Sequence, residues 1–117
     1  MSRDLSFWKY RKLSNATNKE IYYELSQGKL LDCLEEIPVD KIFIDFKNEF
    51  FSWRSQDDKY FENNNEAFQL MLTKQFVRAD CYNLTEYNMN KIIDIMLKYE
   101  CPLYDAAIDV RFDENFA

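Results

Sequence analysis

Histidine is absent from this sequence, and glycine occurs once, at Gly28. Without histidine, a His-based catalytic triad is excluded. With a single glycine there is no phosphate-cradling loop, because such loops need residues without a Cβ where the backbone closes on the anion. Proline is nearly as scarce, with only Pro38 and Pro102, and no Pro- or Gly-rich linker divides the chain. The three cysteines, Cys33, Cys81 and Cys101, are odd in number and widely spaced. They form no C-x-x-C pair, and a zinc site drawn from Cys and His would lack a fourth ligand. Free thiols in a reducing compartment are the simpler reading. No apolar run reaches the length of a membrane span, and the opening MSRDLSFWKY lacks the apolar stretch of a signal peptide. A soluble, cytoplasmic protein is expected.

What is present is aromatic and acidic. Apolar residues make up 47% and aromatics 17% of 117 residues. Scaling of surface with mass lets a chain of this size bury roughly two-thirds of its extended surface, so one globular domain over 1–117 is expected. The net charge of −6 is uneven: residues 1–20 balance at +3 and residues 21–117 at −9. Ten acids face four bases between 31 and 66. Such a body repels nucleic acid and anionic lipid and attracts basic proteins. The plainer reading of any one acidic cluster is a surface kept soluble by its charge.

DLSFWKYR (4–11) reads as an N-terminal strand. Thr17 and Glu20 make a capping box for a helix that carries Ile21, Tyr22 and Leu25 on one face and ends at Gly28. Pro38 opens a second helix, whose stripe is Val39, Ile42, Phe43, Phe46 and Phe50. RSQDDKYFENNNEAFQ reads as turn, short strand, turn. Residues 67–73 and 76–82 alternate around Lys74-Gln75, a hairpin pattern. Thr85 caps a third helix with Met89, Ile92, Ile93 and Met96 on its apolar side. Pro102 stops that helix, and AIDVRF (107–112) reads as a last strand. The sum is an α+β fold, a mainly antiparallel sheet of four to five strands with about three helices on one face.

The period of a strand puts Arg78, Asp80 and Tyr82 on one side and Val77, Ala79 and Cys81 on the other. Cys81 therefore lacks a cationic neighbour on its own side and reads as structural. Arg78 and Asp80 can bridge along the strand, forming either a plain polar face or a platform with Phe76 and Tyr82 as anchors. Asp57, Asp58, Glu62 and Glu66 lack the glycine of a calcium loop, so no metal or other cofactor is expected. Paired carboxylates such as Glu35-Glu36 read as helix-end charges, not as acid–base machinery. Trp53, Tyr60 and Phe61 among Asp57, Asp58 and Glu62 suit recognition of a basic protein surface, against the plainer reading of a charged loop over the core. Tyr104, Asp105 and Asp109 form a second candidate patch.

DLSFWKY, FVRADCYNLTEYNMNKIIDIM (76–96) and CPLYD (101–105), in that order, resemble small bacterial immunity proteins of polymorphic toxin systems, including contact-dependent growth inhibition. The resemblance implies a non-enzymatic cytoplasmic inhibitor that binds a cognate toxin domain, often a nuclease, and covers its active site or substrate surface. It assigns no individual residues. The expected partner is then a basic nuclease toxin domain, with no direct nucleic-acid or membrane contact. The alternatives are an adaptor module for another basic protein, or a small enzyme working with carboxylates alone.

Overall fold

Residues 2–57 and 59–113 are described by a computed structural model. Along the chain it runs β1 (Ser2–Phe7), α1 (Asn18–Ser26), α2 (Val39–Glu49), β2 (Arg54–Asp57), β3 (Tyr60–Asn63), β4 (Glu66–Thr73), β5 (Phe76–Tyr82), α3 (Glu86–Leu97), β6 (Leu103–Asp105) and β7 (Val110–Arg111). The strands form one antiparallel sheet in the order β2-β3-β4-β5-β1-β6-β7. The α+β class agrees with the sequence, but seven strands among the described residues replace the expected four to five. The stretch after α2 makes two strands, not one. Leu103–Asp105 is too short to show alternation, and only Val110–Arg111 of the expected strand at 107–112 pairs. Ahead of it Asp109 turns the chain in the left-handed region, at φ 51°. The first strand lies earlier than expected, ending at Phe7, and Tyr10 keeps only an isolated bridge to Leu34.

The helix ends follow local chemistry. Thr17 Oγ1 accepts from the Glu20 N–H at 3.1 Å while Glu20 returns to the Thr17 N–H at 2.8 Å, and Gly28 closes α1 at φ 83°. Thr85 Oγ1 accepts from the Asn88 N–H at 3.2 Å. Glu66, at the start of β4, accepts from the Thr85 N–H at 2.7 Å and the Asn88 side chain at 3.0 Å. The entry to α3 is thereby tied to the sheet. Lys74-Gln75 turns without Asn-Gly because Gln75 is anchored inward. Its side-chain oxygen accepts from Leu31 N at 2.7 Å, and its amide donates to the Leu31 and Leu34 carbonyls.

The registers sort the side chains onto two faces. Leu5, Phe7, Phe68, Leu70, Val77, Ala79 and Cys81 pack under Ile42, Phe46 and Phe50 of α2 and Ile92, Ile95 and Met96 of α3. Phe68 is the hub, stacked on Phe61 at 4.9 Å and met by Phe50 at 4.8 Å. Trp8, Phe76 and Tyr104 belong to the other face and pack with Ile21 and Leu25 of α1. The helices therefore lie on both faces, not on one as expected: α1 crosses one end of the second face and leaves the rest without a helix among the described residues.

Candidate functional site

The part of the second face that α1 leaves open runs over β3, β4, β5 and β1. Cross-strand pairing aligns Tyr60, Gln69, Asp80 and Asp4 in one row. The neighbouring row is Arg54, Glu62, Ala67, Tyr82 and Ser2, and the row on the other side carries Met71 and Arg78 before running under α1 at Ser6 and Tyr104. Gln69 and Tyr82 are exposed, while Tyr60, Glu62, Arg78, Asp80 and Asp4 are half-buried. At one margin Tyr22 of α1 donates its hydroxyl to Asp4 Oδ2 at 2.9 Å. The face thus presents three acids (Asp4, Glu62 and Asp80) and three tyrosines (Tyr22, Tyr60 and Tyr82) around Arg78 and Arg54.

Arg78 grips Asp80 as a fork, Nε to Oδ1 at 2.9 Å and a terminal nitrogen to Oδ2 at 3.2 Å. Burial works against the guanidinium charge, but the Asp80 carboxylate more than offsets it, and the Arg78 pKa is raised. Asp80 behaves in the opposite way from an ordinary ion-paired acid. Burial, together with the facing Asp4, outweighs Arg78 and holds the carboxyl above its usual range. Cys81 points to the opposite face, as its strand position predicts, and burial pushes its thiol up to about 12.

The residues singled out from sequence separate into distinct places. Tyr60 and Glu62 stand on the open face, Glu62 with Arg54 Nε at 3.8 Å. Trp53 packs edge-on against Phe50 at 5.0 Å, on the helix-covered side. Asp58 lies outside the described residues, as does the side chain of Asp57. Phe61 and Phe76 are both buried in the core, so neither is a surface anchor. The second patch does not form an exposed surface. Tyr104 is 1% exposed and donates its hydroxyl to Asp109 Oδ1 at 2.7 Å. Burial, then Asp109, holds the Tyr104 hydroxyl well above its ordinary pKa. Asp105 is fully buried, held by Arg3 and accepting from the Ala107 N–H at 3.0 Å. The physical reason is strand alternation: Tyr104 faces α1 and Asp105 faces the opposite core. Asp109 alone is exposed, beside β7, which lies five strand spacings from β3, roughly 24 Å away.

Asp4, Tyr22 and Gln69 are the residues that sequence reasoning missed. Their place on the face depends on the pairing of β1 with β5 and on where α1 lands, and neither is a local signal. Among the described residues no three Asp, Glu, Cys or His side chains gather as a metal site. None of the helices described is long and apolar enough to cross a membrane. A cleft of about 840 Å³ lies elsewhere, where residues 10–18 meet Asp109 and Asp113. Its cations Arg11 and Lys12 are both engaged by Asp32, at 2.8 and 2.6 Å, and clamp that loop to the 31–34 segment. Comparison with protein-family models, curated proteins and solved structures gives no match.

Proposed function

We propose that this chain is a bacterial immunity protein, a stoichiometric inhibitor that binds a basic toxin domain, a nuclease, through the open sheet face. The observation that carries the reading is the row Tyr60–Gln69–Asp80–Asp4 with Glu62, Tyr82 and Tyr22 beside it. It is an acidic and aromatic surface on a rigid antiparallel sheet. Tyrosine supplies contact area at low conformational cost, and the acids complement the basic face with which a nuclease holds its substrate. The resemblance to immunity proteins supports the same reading, as does the net charge of −6. Neutralisation in the cytoplasm calls for fast capture, and opposite charges steer encounters to about 10⁸–10⁹ M⁻¹s⁻¹ at low salt.

The test is to express the open reading frame immediately upstream with and without this chain. The expected result is a toxic C-terminal domain, rescue by this chain, and a one-to-one complex on size exclusion. A harmless neighbour, or toxicity unrelieved by co-expression, moves the adaptor reading to the front.

A further inference from the structure

The centre of the open face contains an arrangement that a sheet ordinarily avoids. Asp4 and Asp80 are direct cross-strand partners on β1 and β5, which brings their Cβ atoms to roughly 4.5–5.5 Å; like charges in that position destabilise the pairing. The groups that face the pair can be named element by element. From β5, Arg78 engages Asp80 on both carboxylate oxygens. From α1, the neutral hydroxyl of Tyr22 donates to Asp4. From β4, the directly opposed residue is the uncharged Gln69. Arg3 and Cys81 belong to the other face. Among the described residues Arg78 is the cation in contact with this pair, with side chains only 24% exposed at Asp80 and 21% at Arg78. Adjacent carboxyls at a half-buried site relieve repulsion by retaining a proton. The raised pKa of Asp80, caused by burial and then by its contact with Asp4, agrees with that account.

We propose that Asp4 and Asp80 form a carboxyl–carboxylate pair holding one proton, and that a lysine or arginine side chain of the docked partner displaces it. The exchange balances: the O–H proton of the pair passes to solvent as the partner's cation takes its place between the two oxygens. One charge enters the face for each that leaves. Aromatic Tyr22 and Tyr82 flank the seat, and guanidinium and ammonium groups favour such rings. The displacement rests on the reading of this face as the docking surface for a basic protein; the shared proton in the free chain does not.

Carboxyl carbon NMR of the free protein, titrated through the acid range, tests the pair directly. The Asp80 midpoint is expected above the ordinary aspartate range, and it should move down in Asp4→Asn, with Asp4→Ser as the second variant should the first fail to fold. A midpoint in the ordinary range, unmoved by either variant, overturns the shared proton. N-acetyl-argininamide then serves as the probe for displacement. Set against sodium chloride at equal ionic strength, it should lower the Asp80 midpoint, and no movement overturns the seat. With the toxin domain, calorimetry at a pH near the measured Asp80 midpoint, in two buffers of different ionisation enthalpy, should show proton release on binding. Asp80→Asn should abolish that release and weaken affinity about tenfold, or roughly 1.4 kcal/mol. A toxin bound and neutralised with neither effect leaves the immunity function standing and removes this inference. A titrating pair that responds to the probe, with no toxin neutralised, does the reverse.

Discussion

At the scale of single residues, the chemistry of this protein is decided by which side of a strand each side chain takes. Cys81 and Cys101 are buried, and burial pushes their thiols up to about 12 and about 11. Neither is a nucleophile near neutral pH, because the reactive form is the thiolate. Cys33 is only partly covered. A thiol reagent at pH 7 should therefore modify one cysteine quickly in the native protein and all three after unfolding; rapid native labelling of Cys81 would contradict the assignment. Phe68 touches Phe46, Phe50, Phe61 and Trp53 in one aromatic cluster and is fully buried. Phe68→Ala should cost about 3–5 kcal/mol in urea unfolding. A loss below 1 kcal/mol would mean that the cluster closes around the gap.

At the scale of elements, the helices could be read from the sequence far better than the sheet. Each helix announces itself over one or two turns: the Thr17–Glu20 box, the stripe Ile42–Phe46–Phe50, and the Thr85 cap all stand where the residues put them. The hairpin of β4 and β5 was equally legible, because alternation on both sides of residues 74–75 is a local pattern. What escaped is what depends on distant partners. Asp4 meets Asp80 only through a pairing across most of the chain, and the inward turn of Tyr104 and Asp105 depends on α1 and β1 already being in place. Glu66 shows how such ties act. Burial opposes its charge, yet the Asn88 amide and the Thr85 backbone hold its carboxyl below the reference value of 4.5. A depressed folded pKa means that the stabilisation is full above about 4.5 and is lost as pH falls through the lower folded value. Glu66→Gln should accordingly be less stable than the wild type at neutral pH, with the difference shrinking below pH 4.5 in acid-unfolding curves. A gap that stays constant with pH would assign the effect to lost packing. Thr17→Ala, which opens one half of the box on α1, should cost about 1 kcal/mol in the same assay.

At the scale of the whole molecule, charge and topology work in different directions. The acids on the open face and the overall charge of −6 predict association that is fast and sensitive to salt. Stopped-flow rates with the proposed toxin partner should fall steeply between low and physiological ionic strength, and Glu62→Lys should slow association more than dissociation. A rate indifferent to both would take the open face out of the encounter. Topology imposes a delay of a different kind. β1 sits in the interior of the sheet, with Ser2 opposite Tyr82 and Leu5 opposite both Ala79 and Asp105. The strand at the beginning of the chain has no neighbour until residues 76–82 have been synthesised, and its second neighbour comes only with 103–105. Closing contacts so remote in sequence is slower than forming the local β3–β4 and β4–β5 hairpins. The row proposed for docking includes Asp4, so that face is incomplete on a nascent chain. On the proposed immunity role, protection of a cell would begin not with the first residues translated but with the closing of the sheet.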